Sequence, residues 1–479
     1  MRSSSQSRKL RPGRGPLATL ATLAALLLPA SALAAPAAKH QSGQARQGAL
    51  TQLAGTSGCL VDRSARKKSG CGVARALKGP GPFMGSRAIA LSPDGKSVYV
   101  ASSKSDAIAI FSRNARTGAL TQPRGAAGCI AAKGGGHCAT AIALDGPNSL
   151  AVSPDGHNVY ATSRGSSSIS VFQRDQTTGA LSQLPASAGC ISGVPVPVCA
   201  AGRALVGPDV VVISPKGENV YVGSFFGNAV AVFDRDPASG ALTQPGDSSG
   251  CIAEAIAGCA LGFALGAPEG MAISGDGASV YVASALSNAV VTLARDQSTG
   301  NLTQATDGSG CIANSALTGC ATGVQLSGAN AVAFNPGGDV YVTSLFSNSV
   351  TAFTRSKTSG GLAQKPGTAG CLVWLRAVGC SFGRALRAPE GLTISPDGAN
   401  VYVAAFANSA IAVLERGKRV GKVRQKPGRR GCVAPRSVSG CTRARALRGV
   451  SSIALSPDGR YLYSTSFGSD AVDIFRRSK

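Results

Sequence analysis

Seven positions in this chain could do chemistry together. Each lies five residues before a turn of the Ser-Pro-Asp-Gly type, and in order they are Arg87, Asn148, Asp209, Glu269, Asn330, Glu390 and Ser451. None is apolar, although the segments behind them are, as in Val210 to Ile213 and Met271 to Ile273. Pro147, Pro208, Pro268 and Pro389 immediately precede four of the seven and fix the backbone on entry. Three chemistries suit such a set. The side chains could satisfy strand ends and channel water, with Arg87 paired to an acid. Asp209, Glu269 and Glu390, helped by Asn148 and Asn330, could offer oxygen ligands to a hard divalent cation such as calcium, against the opposing charge of Arg87. Or Arg87 could hold an anionic group through its planar fork while Glu269 or Glu390 activates water, with Asn148, Asp209, Asn330 and Ser451 contacting the substrate.

Other catalytic chemistries lack their residues. The three histidines are His40, near the N-terminus, His137, between two cysteines, and His157, beside a turn. None belongs to the polar set. No Gly-x-Ser-x-Gly elbow, phosphate loop or dinucleotide fingerprint occurs.

The elements that must position the set repeat seven times. The turns start at Ser92, Ser153, Ser214, Ser274, Asn335, Ser395 and Ser456, and each is followed by a segment of the Val-Tyr-Val-Ala-Ser kind, as at Val98 to Ser102. A repeat reads as four short strands. The first, such as Glu269 to Ser274, ends at the Ser-Pro-Asp-Gly turn, where Pro presets φ and Gly takes the positive φ that closes a hairpin. The Val-Tyr-Val strand follows, then one such as Ala229 to Phe233. The fourth is Gly-Ala-Leu-Thr-Gln, reached through turns such as Asp236 to Gly240. Seven units of four antiparallel strands predict an all-β seven-bladed propeller. Its phase predicts closure: Gly48 to Gln52 is a fourth strand without its first three, and Ala471 to Phe475 is a third strand without its fourth. The N-terminal strand can therefore complete the last blade and remove an open edge.

Fourteen cysteines recur as pairs between a fourth strand and the next first strand: Cys59 with Cys71, Cys129 with Cys138, Cys190 with Cys199, Cys251 with Cys259, Cys311 with Cys320, Cys371 with Cys380, and Cys432 with Cys441. An even count in a secreted chain reads as disulfides, one per repeat, and the spacings do not suit zinc. Secretion is expected from the start of the chain. Arg2, Arg8, Lys9, Arg11 and Arg14 precede an apolar run from Pro16 to Leu28 and a small-x-small site at Ala32 to Ala34. Residues 1–34 are expected to be a signal peptide, with an uncleaved anchor as the alternative, 35–47 a tail and 48–479 one propeller. The mature chain is then expected outside the cell or at its envelope, monomeric and without a membrane span.

The charge balance is +25. Arg63, Arg66, Lys67, Lys68, Arg75 and Lys78 cluster near Cys59, and a second group runs from Arg416 to Arg448, including Lys418, Arg419, Arg429 and Arg430. Closure would merge the two into one basic sector, suited to an anionic envelope polymer or surface protein. Nucleic acid is not expected, since secretion removes it and no aromatic interleaving is present. Phe225, Phe226, Phe346, Phe406 and Phe467 fall in turns between second and third strands, where they could stack on a ligand or pack under the cysteine loops.

Tyr341-Val342-Thr343-Ser344, Tyr281-Val282-Ala283-Ser284 and the Ser-Pro-Asp-Gly turns resemble the seven-bladed propeller lactonase family, also described by its Tyr-Val-Thr-Asn (YVTN) repeats. The resemblance covers nearly all of the chain after residue 47. It implies the fold and members that are 6-phosphogluconolactonases, carboxymuconate cyclases or non-enzymatic surface proteins. The expected function is a secreted binding or scaffold protein of the cell envelope, with a lactone hydrolase of the 6-phosphogluconolactonase kind, using Arg87, Glu269 and Glu390 of the polar set, as the alternative.

Overall fold

The computed structural model describes residues 47–65, 70–81, 87–132, 137–417 and 421–479. The expected signal peptide, His40, and the basic residues Arg66, Lys67, Lys68, Lys418 and Arg419 lie outside the described residues. Seven sheets stand in a ring, each beginning with an inner strand that neighbours the inner strands on either side. The third repeat shows the plan. Pro208–Ile213, Asn219–Ser224 and Ala229–Arg235 run antiparallel from the axis outward.

The outer part of each blade is richer than four strands. Leu242–Thr243 pairs with the end of the third strand, at Arg235 and Asp234. A 3-10 turn at Ser248–Gly250 then carries the chain outward, and Cys251–Ala253 returns to pair with Ala231 to Ala229. After the cysteine loop, Ala260–Leu261 runs parallel to Cys251–Ala253 at the rim. The first cysteine therefore belongs to a strand, and its disulfide joins that strand to the loop leading to the rim strand. All seven expected disulfides form, with Cα–Cα separations of 4.7 to 4.9 Å.

The ring closes as the phase of the ends requires. Leu50–Gln52 pairs with Arg477 to Phe475, and Cys59–Asp62 continues beside Asp473 to Ala471. The Tyr402 hydroxyl donates to Gly48 O at 2.8 Å from the neighbouring blade.

Blades are held to each other by polar side chains as well as by a packed interior. The central Tyr of each second strand is fully buried. In six repeats its hydroxyl meets an Arg from the end of the next blade's third strand, as in Arg174 Nε to Tyr99 at 2.9 Å and Arg235 Nε to Tyr160 at 2.7 Å. The same guanidinium reaches back to the Asp of the preceding Ser-Pro-Asp-Gly turn, Asp94 for Arg174 and Asp155 for Arg235. The turn Asp thus serves both its own turn and the next blade. Where the fifth turn, Asn335 to Gly338, lacks an Asp, Asp339 takes the Arg416 guanidinium instead. Nearer the rim, the Gln ending each fourth strand forms an amide pair with the backbone of the preceding repeat. Gln244 Oε1 accepts from the Arg203 amide at 2.7 Å, and its Nε2 donates to Arg203 O at 3.1 Å.

Candidate functional site at the axis

Six of the seven inner strands begin with a β-bulge. Pairing with the second strand skips one residue after Pro147, Pro208, Pro268, Ala329, Pro389 and Val450. The skipped residues are Asn148, Asp209, Glu269, Asn330, Glu390 and Ser451, the polar set read from the sequence. A bulge turns its extra residue away from the ladder. Here three of the side chains reach toward the next blade. Asn148 Nδ2 donates to Pro208 O at 3.2 Å, Asn330 Nδ2 to Pro389 O at 2.9 Å, and Ser451 Oγ to Gly81 O at 2.8 Å. All six are buried. The six form a belt at the inner ends of the blades, in which Asn148, Asn330 and Ser451 contact the next blade while Glu390 borders the axial cavity.

The belt has two kinds of member. Asn148, Asn330 and Ser451 face a Thr on their own second strand: Thr162 Oγ1 lies 2.9 Å from Asn148 Oδ1, Thr343 Oγ1 2.8 Å from Asn330 Oδ1, and Thr465 Oγ1 3.4 Å from Ser451 Oγ. The acids face residues that can donate nothing. At the position of those Thr residues, the blades of Asp209, Glu269 and Glu390 carry Gly223, Ala283 and Ala404. Asp209 finds partners elsewhere. It is in hydrogen-bond contact with Asn148 Nδ2, and the Arg164 guanidinium lies 2.7 Å from its Oδ1. Burial still lifts its pKa to about 6, against the pull of Arg164. Glu269 has no hydrogen-bond partner for either oxygen among the described residues. Burial pushes it well above the usual carboxylate range, the neighbouring Asp209 adds to the rise, and Arg164 opposes it.

Arg87 does not occupy the seventh place in the belt. Pro80, not residue 86, bridges to Ser102 where the other repeats pair Pro147 with Ser163 or Pro208 with Ser224. Gly81 is therefore the belt position of the first blade, and it accepts the Ser451 bond. Counting back from the turn misplaced the site because this repeat holds extra residues between Pro80 and Ala88. The signal was present in the sequence: Arg-Ala-Leu precedes the Pro by a fixed distance in Arg75 to Pro80, Arg203 to Pro208 and Arg384 to Pro389.

Arg87 instead enters the axial channel, a cavity of about 680 Å³ lined by the inner strands. Its Nη2 donates to Val332 O at 3.4 Å, on the inner strand of the non-adjacent fifth blade. The wall is otherwise apolar or small, with Leu150, Val211 and Ile273 among its residues. Arg87 and Glu390 are the ionisable residues among those lining it. Asp209 and Glu269 do not border it. Among the described residues no three His, Cys, Asp or Glu side chains are placed to hold a metal ion. The calcium set Asp209, Glu269 and Glu390 is thus not assembled among the described residues: each acid stands on its own blade.

A family model described as lactonase, 7-bladed beta-propeller, matches residues 80–129, 137–201 and 208–311, the first four blades. Over those four blades the chain is similar to that family. Among solved structures, a Bacteroides fragilis protein assigned as a 6-phosphogluconolactonase is similar at 19% identity and a TM-score of 0.51, covering 74% of this chain and 85% of that one. Hydrazine synthase from Kuenenia stuttgartiensis is similar at 20% identity and a TM-score of 0.51, covering 83% and 97%. Likeness at this level shows the fold alone. No curated protein matches the sequence.

Arg164 is the residue that sequence reading missed. It begins the turn between second and third strands, where the other repeats carry Ser103, Phe225, Ala285, Leu345, Phe406 and Phe467. A single Arg among uncharged residues was the available signal. Its guanidinium carbon stands 4.8 Å from the Phe225 ring centroid and 5.7 Å from that of Phe226. Phe225, Phe406 and Phe467 are half-buried, whereas Phe226 and Phe346 are each 63% exposed.

Proposed function

We propose that this propeller hydrolyses lactones carrying an anionic substituent, in the axial channel. One observation carries the reading: an otherwise uncharged channel wall with one guanidinium, Arg87, and one carboxylate, Glu390. Arg87 holds the substituent through its fork. Glu390 takes a proton from water as the water oxygen attacks the lactone carbonyl. The ring C–O bond then breaks, and the proton passes to the departing ring oxygen. Glu390 is closed to bulk water in the free protein, so the reading requires the wall to open beside it as substrate enters. Glu269, the other base candidate, is assigned no direct part because it does not border the channel.

A panel of sugar lactones, with and without an acidic group, tests this. Glu390→Gln should lower kcat by about 10²–10⁴-fold. Arg87→Ala should mainly raise KM, and only for the acidic lactones. Chelator should leave the rates unchanged. Wild-type protein inactive on the whole panel, or full activity in Glu390→Gln, overturns the reading.

Arg445 supports a second reading, in which the protein binds an anionic polymer of the envelope. Its Nη1 donates to Gly70 O at 3.0 Å and its Nη2 to Gly55 O at 2.7 Å, which sets the Arg416 to Arg448 stretch beside the Cys59 loop. Arg424, Arg429, Arg430, Arg436 and Arg443 are exposed there. This reading places the chain outside the cytoplasm, in keeping with its seven disulfides and lack of free cysteine. Arg429→Glu with Arg430→Glu should release it from envelope material at low salt. Salt-independent retention counts against it.

A further inference from the structure

A second cavity lies away from the axis, at the seam where the last blade meets the first. It holds about 490 Å³, and Arg63, Arg75, Lys78 and Lys104 line it together with Asp62 and Asp106. Both carboxylates are committed to the fold. Asp62 Oδ1 accepts from the Ser64 amide and hydroxyl at 3.0 and 2.8 Å, and its Oδ2 from the Leu77 amide at 3.2 Å. Asp106 Oδ1 accepts from the Gly146 amide at 2.9 Å.

The cations are not neutralised in the same way. Every Asp and Glu of the chain falls within the described residues. None of them forms an ion pair with Arg63, Arg75, Lys78 or Lys104 among those residues. Two of the four are also held in place. Arg75 Nη2 donates to Pro123 O and Gly125 O at 2.9 and 3.0 Å, and Lys104 Nζ sits 4.3 Å above the Phe467 ring centroid. Four cations thus surround one concavity with no ion-pair partner among the described residues, two of them held in place.

The charge is particular to this seam. Lys78 and Lys104 occupy repeat positions that carry Asp145 and Gly165, Val206 and Phe226, Gly266 and Leu286, and Ser327 and Phe346 in the next four repeats. Only here do two cations fall together at those positions. The third, Arg63, stands on the last blade: it follows the strand Cys59–Asp62, which pairs with Asp473 to Ala471 there. The pocket is therefore bordered by both the last blade and the first.

We propose that this seam pocket binds a small ligand carrying two or more oxyanion groups, phosphate or carboxylate, independently of the axial channel. Two guanidiniums supply forks that match such groups, and two ammoniums supply point charges beside them.

Calorimetric titration of the mature protein at about 0.1 M salt tests the site, with pyrophosphate in one arm and citrate in the other. Binding in either arm is expected, the stronger arm naming the oxyanion. Lys78→Glu with Lys104→Glu should weaken it by about tenfold or more, and Lys104→Gln by less. Arg429→Glu with Arg430→Glu, on a different blade, should leave it within about twofold. Lactone hydrolysis should be unchanged in the Lys78 and Lys104 variants, which separates this site from the channel. No binding in either arm overturns the proposal. So does equal weakening by the Arg429 and Arg430 variant, which would mean that the anions follow overall charge.

Discussion

Asp209 and Glu269 stand on neighbouring blades and share the field of one cation, Arg164. Both are buried, and burial raises both pKa values above those of the unfolded chain. As pH rises from about 4 to about 6, the unfolded chain loses these protons before the folded one does. The unfolded state then binds fewer protons, so stability falls with rising pH across that window, and further as Glu269 ionises. Glu269→Gln keeps the shape and removes the charge. It should raise Tm at about pH 7.5 by a few degrees, leave it nearly unchanged at about pH 4, and flatten the profile between. Thermal unfolding followed across pH would show this. A lower Tm at neutral pH would mean that the Glu269 carboxylate is stabilised as an anion. The sequence shows that these positions are polar, because the belt breaks an apolar pattern. It does not show which way they point, because a bulge changes direction without changing residue type. The Thr, Gly or Ala opposite each belt residue is legible, but only once the register is known.

At the scale of elements, the strut between blades explains why the third strand ends in Arg in every repeat. Arg174 is 3% exposed and bonds Tyr99 Oη, Gly156 O at 3.1 Å and the Asp94 carboxylate. Arg174→Ala should cost about 2–4 kcal/mol, because it leaves a buried hydroxyl and carbonyl without donors. Asp94→Asn should cost under about 1 kcal/mol, since Asp94 is partly exposed and its ion pair is screened. Denaturant titration of the two variants measures the difference, and equal costs would shift the weight from the buried bonds to the ion pair. The turns, the strand sequence and the disulfides were legible because Pro, Gly and Cys act locally. The split outer strand and the rim strand were not. They depend on where Cys251 and its equivalents pair, and that is set by the third strand lying beside them. Nor could the strut be read, since Arg174, Tyr99 and Asp94 come from different strands and two different blades.

For the whole molecule, closure joins what the chain separates most. Residues 47–62 supply both outer pieces of the last blade, the Gln52 amide pair with Arg445 and the Gly48 carbonyl under Tyr402. Without them the strand Ala471–Arg477 presents an unpaired edge, and the first blade meets only part of its neighbour. A protein lacking residues 47–65, with Cys71→Ser to avoid a free thiol, should melt well below the full ring and self-associate through that edge. Adding a peptide of residues 47–65 in trans should restore much of the lost Tm and return the protein to a single species in light scattering, because the missing contacts are strand pairing that needs no covalent link. The same peptide carries Arg63, so it should also restore pyrophosphate or citrate binding at the seam, whereas a peptide with Arg63→Glu should restore stability and not binding. A truncated protein that keeps its full Tm would show that the six remaining complete blades hold the ring by themselves. Recovery of the anion site would then have to come without any gain in stability.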